Sequence, residues 1–297
     1  MEGSPVNVIL GLGFIGGALA KRLPDAKSVK TSSNGRWSGE LDKDADWAKN
    51  ILKGADTVYL CAGRTGGVGR MAKDPFSFVL PNVRIHMNVF EACKNAGVKK
   101  VVCLQSTTGY PDTSEPVTEE EYEGRLHPAY FCPGTAHRFI NDLAKMYSEY
   151  FDVVFFRPSN VYGPGNNFDP QFSHVIEATV RKVVERQNPF VIWGDGSETR
   201  DAVYIDDLVD AMALDLPAGS YNVGTGTEMS VDDMVNVLLK KADFFPDISH
   251  DTSKPTAIPA RRVNIDKLAS FGWKAKVSMQ EGLEKTLEWY QTQSSKD

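Results

Sequence analysis

The apolar run Val8-Ile9-Leu10 leads directly into Gly11-Leu12-Gly13-Phe14-Ile15-Gly16. Glycines at this spacing, between a strand and a helix, suit a dinucleotide pyrophosphate. The first permits a tight turn, the second lets backbone approach the phosphates, and the third lets the helix pack on the strand. The plainer alternative is an ordinary strand–helix turn. The segment after the next strand bears on the ribose end of such a ligand, where an acid would bind a 2′-hydroxyl and a cation a 2′-phosphate. It reads Lys30-Thr31-Ser32-Ser33-Asn34-Gly35-Arg36, with hydroxyls and cations but no acid, and Glu40 lies further along. This favours NADP over NAD with Arg36 as a ligand, unless Arg36 is only a solvated loop charge. The four cysteines, Cys61, Cys93, Cys103 and Cys132, show no CxxC or metal spacing. Three lie in or beside apolar runs, so free thiols in a reducing cytoplasm are expected, and no metal site.

The elements that must position this turn are legible as short apolar runs alternating with helical stretches. Ser28 to Thr31 could be a second strand, and Thr57 to Ala62, Val101 to Leu104 and Val153 to Phe156 are clearer ones. Helices are expected over Gly16 to Leu23, Val83 to Asn95, Arg138 to Tyr150, Val175 to Glu185 and Met279 to Gln291. Continuously apolar strands separated by helices predict an α/β fold, a doubly wound parallel sheet covered on both faces. The expected organisation is a nucleotide-binding domain over 1–165, to which segments at about 195–225 return. A smaller interleaved lobe over 166–297 completes it, leaving a cleft at the strands' C-terminal ends. The chain has 297 residues, 41% hydrophobic and 24% charged, which excludes a largely disordered protein. Its net charge of −6, without a long basic run, argues against nucleic acid or an anionic membrane as main partner. No apolar stretch approaches the roughly 18 residues of a spanning helix.

Further motifs follow in order. Cys61-Ala62-Gly63 precedes Arg64-Thr65-Gly66-Gly67-Val68-Gly69, and Phe78 to Asn88 carries Asn82 and Asn88. Leu104-Gln105-Ser106-Thr107-Thr108-Gly109-Tyr110-Pro111 is followed by Pro116-Val117-Thr118-Glu119-Glu120. Arg157-Pro158-Ser159-Asn160-Val161-Tyr162-Gly163-Pro164 leads to Asn167-Phe168-Asp169-Pro170 and Ser173-His174-Val175-Ile176. Trp193 to Asp201 leads to Tyr204 to Asp207. In these segments the chain resembles the extended short-chain dehydrogenase/reductase family of nucleotide-sugar epimerases, dehydratases and reductases. The likeness covers nearly the whole length, with the GDP-fucose synthase and GDP-mannose 3,5-epimerase branches nearest.

The resemblance implies a Rossmann-type fold, an NAD(P) cofactor, a nucleotide-sugar substrate and a homodimer paired through two helices of the first domain. It implies cofactor contacts at Gly11, Gly13, Phe14, Ile15, Gly16, Ala62, Gly63, Pro158 and Asn160. Ser106 would hydrogen-bond the sugar's keto or hydroxyl oxygen. Lys182, Arg200 and Arg261 would hold the nucleotide diphosphate, a task that charge-assisted hydrogen bonds suit. His174 stands where the epimerising synthases have an acid. The plainer readings are a polar strand end for Ser106, surface ion pairs for the cations and a structural role for His174.

Two departures from the family pattern stand out. The family's Tyr is followed four residues later by a Lys on the same helix face, which lowers the phenol from about 10. Here Tyr130-Phe131-Cys132-Pro133-Gly134 offers the Tyr, but glycine stands in place of the Lys. Pro133 and Gly134 resist a helix interior, so the helix is expected to begin at Thr135 with Tyr130 in the loop ahead, and His137 and Arg138 are the nearest substitute cations. The second departure is Thr108, where the synthases have a Cys that removes a proton beside the keto group. A hydroxyl is a far weaker base than a thiolate.

The leading reading is an NAD(P)-dependent epimerase or reductase working on a nucleotide sugar, a GDP-sugar or a relative of it, through a 4-keto centre. Ser106, Thr108, Tyr130 and His174 would carry its chemistry. A nucleotide-sugar or dinucleotide binding protein without catalysis is the alternative that the missing Lys supports. A related fold used for RNA or protein contact is a third, against which the acidic charge and the intact glycine turn both weigh.

Overall fold

The computed structural model describes residues 5–30, 32–33, 36–37, 48–65, 73–170, 172–254 and 258–294. The strands are β1 (Asn7–Leu10), β2 (Lys27–Val29), β3 (Ser32–Ser33), β4 (Arg36–Trp37), β5 (Thr57–Leu60), β6 (Lys100–Leu104) and β7 (Asp152–Pro158), then β8 (Asn160–Tyr162), β9 (Phe190–Trp193), β10 (Thr199–Arg200), β11 (Ala202–Tyr204), β12 (Gly219–Val223), β13 (Met229–Ser230) and β14 (Ile248–Asp251). The helices are α1 (Phe14–Arg22), α2 (Ala48–Ile51), α3 (Phe76–Ala96), α4 (Phe131–Met146), α5 (Val175–Val184), α6 (Ile205–Met212), α7 (Val231–Lys241), α8 (Asp266–Ala269) and α9 (Met279–Ser294).

Six strands form one sheet in the order β12-β7-β6-β5-β1-β2, every pair parallel. Strand periodicity explains why these segments read as unbroken apolar runs. Val8, Leu10, Val58, Leu60, Val101, Cys103, Val153 and Phe155 point into one core, shared with α3 and α4. The alternate residues Ile9, Tyr59, Val102, Val154 and Phe156 point into the other, shared with α5, α6, α7 and α9. Both faces are dry, so neither set can be polar. The expected doubly wound parallel sheet is therefore the architecture found. Residues 219–223 return to its edge as β12, whereas 199–204 pair elsewhere, β10 with β13 and β11 with β8.

Two helices begin well before the expected residue, and the second also stops at Met146, short of the expected Tyr150. The first is α3, which extends from Phe76 through Pro81, earlier than the expected Val83. Pro81 has no N–H for the Ser77 carbonyl, and the Arg64 guanidinium donates to that oxygen instead, at 3.4 Å. The second is α4, which begins at Phe131 with Tyr130 as N-cap, not at Thr135. Pro133 falls in the first turn, where backbone N–H groups have no partner within the helix, so its missing donor costs nothing there. Tyr130 does precede the helix, in a short 3-10 turn over Pro128–Tyr130.

Candidate functional site

The glycine turn meets the geometric demands of a dinucleotide. Gly11 has φ +97°, and a Cβ there would lie 2.6 Å from the Ala62 nitrogen; one on Gly16 would lie 1.8 Å from the Gly11 carbonyl oxygen. These contacts bring α1 hard against β1 and β5. A Cβ on Gly13 would meet nothing within 4 Å, so the space over this backbone is open. Gly13 is the N-cap of α1 and no side chain caps the helix, which leaves its first amides for an anion. The residues present fit a pyrophosphate. Arg36 lies in β4 and its side chain is outside the described residues, as are Thr31, Asn34, Gly35 and the stretch Gly66 to Gly69.

Ser106 follows β6 and is the N-cap of a 3-10 turn over Thr107–Gly109. Its Oγ accepts from the Thr108 backbone N–H at 3.2 Å and the Thr108 hydroxyl at 3.0 Å. Two accepted bonds leave the Ser106 hydroxyl hydrogen to be donated elsewhere. Thr108 also explains the departure at residue 134. A Cβ on Gly134 would lie 2.5 Å from the Thr108 carbonyl oxygen and 3.0 Å from both methyls of Leu126. The first turn of α4 rests directly on the Ser106–Gly109 turn, and no side chain fits between them.

Tyr130 meets cations from a different quarter. Burial pushes its phenol above the ordinary value of 10, opposed by the charges of Arg200 and Arg261 and by the Ile258 backbone. Arg200 Nη1 is braced on the carbonyls of Thr199 at 2.6 Å and Ile258 at 3.0 Å. Arg261 Nη1 donates to the Pro111 carbonyl at 2.9 Å, while its buried Nη2 has no partner among the described residues. Tyr130, Arg200 and Arg261 thus come together, as Ser106 and Thr108 do. Pro158 ends β7 and Asn160 begins β8, with the Asn160 side chain exposed. Both share the C-terminal edge of the sheet with Ser106, Ala62, Gly63 and the glycine turn, where open α/β sheets bind ligands.

His174 is the exposed N-cap of α5, and the protein packed behind it draws its pKa below the usual imidazole value. Lys182 lies two turns along that helix, half-buried, with Nζ on the Val191 carbonyl at 2.7 Å. The two residues expected as substitute cations are occupied or uncharged. Arg138 donates to the carbonyls of Gly109, Gly124 and Glu123 at 2.8, 2.6 and 2.9 Å, and is committed to backbone. Burial, with His86 and Arg157 nearby, takes His137 down to about 3, so it is neutral.

Sequence reasoning passed over three buried polar residues near these groups. Arg157 is 1% exposed. Tyr122 donates to the Ser106 carbonyl at 2.9 Å. Glu177 is 1% exposed on the first turn of α5, where its Oε1 accepts from Asn166 Nδ2 at 2.6 Å. Among the described residues no cluster of three or more His, Cys, Asp or Glu could hold a metal, and no helix is long and apolar enough to cross a membrane.

Comparison with known proteins gives the same frame. The chain is 30% identical over 292 residues to a putative GDP-L-fucose synthase 2 of Arabidopsis thaliana, covering 94% of this chain and 89% of that one. It is 30% identical over 301 residues to a GDP-L-fucose synthase of Sinorhizobium fredii (strain NBRC 101917 / NGR234), covering 97% and 96%. Among solved structures, a GDP-6-OMe-4-keto-L-xylo-heptose reductase from C. jejuni has a TM-score of 0.84 at 23% identity, covering 99% of each chain. A UDP-glucose 4-epimerase of Thermotoga maritima has a TM-score of 0.83 at 21% identity, covering 98% and 100%. These two likenesses are of fold, and the fold is that of the Rossmann-type epimerases and reductases. A model of the NAD dependent epimerase/dehydratase family matches residues 8–224. With that pattern over more than half its length, and relatives of near-equal extent, the chain belongs to the NAD-dependent epimerase/dehydratase family.

Proposed function

We propose that the chain reduces a 4-keto nucleotide sugar, a GDP-sugar by its likeness to the fucose synthases, with NADP(H) preferred to NAD(H). The observation that carries this reading is the setting of Tyr130. With no lysine four residues on and its phenol above 10, Tyr130 holds its proton at neutral pH. It suits giving a proton to a carbonyl oxygen and is poorly suited to taking one from an alcohol. Thr108 offers a hydroxyl where a thiolate base would be needed for epimerisation, which also favours reduction.

Gly11, Gly13, Phe14, Ile15, Gly16, Ala62, Gly63, Pro158 and Asn160 would line the cofactor's place, with Arg36 at its 2′-phosphate, and the reduced nicotinamide supplies hydride. Arg200 and Arg261 hold the diphosphate, the orphaned Arg261 Nη2 among the donors, and Lys182 assists once released from Val191. Ser106 donates its free hydroxyl hydrogen to the C4 oxygen. As the carbonyl carbon gains hydride, its π pair moves to oxygen and takes the phenolic proton of Tyr130. Water then reprotonates the phenolate. His174, neutral near pH 7, is a second proton carrier at the cleft.

Residues 1–165 would bind the dinucleotide and most of 166–297 the sugar nucleotide, in a cytoplasmic enzyme whose four free cysteines suit a reducing compartment. A homodimer is expected through α3 and α4, which leave Phe76, Leu80, Met87, Phe139 and Met146 exposed. The second reading, a sugar-nucleotide binder without turnover, is favoured by one observation, the closed space at Gly134.

One experiment decides between the two. GDP-, UDP-, CDP- and dTDP-sugars, 4-keto forms included, are incubated with the protein and NADPH or NADH in heavy water and followed by mass spectrometry. Gain of two hydrogens without ring exchange beside C4 is the expected result. Ring deuteration would replace reduction with epimerisation, and thermal shifts without any mass change would establish the binder.

A further inference from the structure

The long excursion between β6 and α4 places one aromatic side chain directly behind Ser106. Tyr122 is buried, and its hydroxyl donates to the Ser106 carbonyl at 2.9 Å. The other bond to that carbonyl is the Gly109 N–H at 3.3 Å, which closes the 3-10 turn only weakly. The ring presses on the same turn: a Cβ on Gly109 would lie 2.2 Å from the phenol oxygen. Arg157 lies over the ring, its guanidinium 3.6 Å from the centroid, and Tyr110 meets it edge-on at 5.0 Å. Arg157 itself cannot shift. It donates to Gln105 Oε1 at 2.9 Å, the Glu119 carbonyl at 2.8 Å, Asn141 Oδ1 at 3.0 Å and the Tyr110 hydroxyl at 3.3 Å.

We propose that Tyr122 is a positioning residue for the Ser106 hydroxyl, fixing the Ser106 peptide plane and through it the turn that folds Thr108 back onto Ser106 Oγ. The orientation of that plane sets where the Ser106 side chain leaves the strand end. The Thr108 N–H and hydroxyl then select the one rotamer in which the Ser106 hydrogen is free. Pinned by Arg157, the phenol ring acts as a rigid stop, and its hydroxyl is the part that reaches the turn.

The proposal rests on the reading of Ser106 as a group that touches the sugar, and the test separates the two. Tyr122→Phe keeps the ring and its stacking and removes only the hydroxyl. The turnover number is expected to fall about five- to tenfold, the scale of one lost hydrogen bond, with KM within about twofold of wild type. In NMR hydrogen exchange the Thr108 amide, which reports the turn directly, is expected to exchange faster by a similar factor while Val101 and Val102 in β6 do not change. A Tyr122→Phe enzyme with wild-type turnover, in a protein that Ser106→Ala disables, overturns the proposal. If wild type converts no sugar in the panel, it is the functional reading that fails. The Thr108 amide still decides the positioning claim: unchanged protection refutes it, and faster exchange confined to residues 106–109 upholds it.

Discussion

By the resemblance read in the sequence, Gly134 takes the place of the family's lysine, and the obvious repair is to put a side chain back. The structure predicts that the repair fails. In an exposed helix, Gly→Ala stabilises by about 1 kcal/mol because it removes backbone freedom from the unfolded chain. At 134 the new Cβ would sit 2.5 Å from the Thr108 carbonyl oxygen, a backbone atom that moves only with the Ser106–Gly109 turn. Overpacking of this kind costs typically 1–3 kcal/mol. Taking the upper end, because the obstacle is backbone, the net loss is about 2 kcal/mol, or roughly 4 °C in Tm for a chain of this size. Gly134→Lys meets the same clash at Cβ and is expected to be at least as unstable, with no gain in turnover. Differential scanning calorimetry of wild type, Gly134→Ala and, as a control on the same helix, the exposed Thr135→Ala measures this. A Tm raised by Gly134→Ala would mean that helix propensity wins, that no carbonyl blocks the position, and that the reasoning about the missing lysine is wrong.

Other expectations follow from groups whose protonation the fold controls. Burial raises the Glu177 carboxyl from 4.5 to about 7, so the folded chain keeps this proton over a range where the unfolded chain has lost it. Stability therefore falls as pH rises through that window. The penalty is absent below 4.5, full above 7 and about 3 kcal/mol in size, and Glu177→Gln should relieve it. Urea unfolding of both proteins at pH 5 and 8 checks this, and a gap between them that does not grow with pH contradicts it. Tyr130, raised above its ordinary value by burial, should keep reduction free of an alkaline limb around neutral pH, whereas a limb near pH 7 would betray a lowered phenol. Burial pushes the thiols of Cys61 and Cys93 up to about 12 and that of Cys103 well above its ordinary value, so alkylation of the native protein at pH 8 should spare all three, read by peptide mass spectrometry.

Much of the sheet was legible because its signal is local and doubled. A strand buried on both faces cannot hide its character, and β5 to β7 read as unbroken apolar runs. The glycine turn was equally plain, since its three glycines answer steric demands within six residues. What escaped depends on partners far along the chain. Pro133 reads as a breaker only if the helix has begun well before it, and where α4 begins is set by its contact with Thr108. The meeting of Tyr130 with Arg200 and Arg261 arises from chain crossings that periodicity does not encode. Arg157 looked like one more letter of a motif, although a cation inside an apolar strand must be provided for by neighbours. Its provider in π density, Tyr122, lies in a polar excursion with no period to mark it.

Arg157 carries a consequence of its own. Its hydrogen bonds all run to neutral oxygens, and among the described residues no carboxylate pairs with it. A guanidinium cannot shed its proton, so a full positive charge sits permanently in the interior beneath the end of β6. In a medium of low polarisability the field of such a charge falls off slowly. The strand end above it thus lies over a fixed cation before any ligand arrives. If Ser106 meets the sugar's oxygen as proposed, negative charge gathering on that oxygen would face a cation already fixed in place.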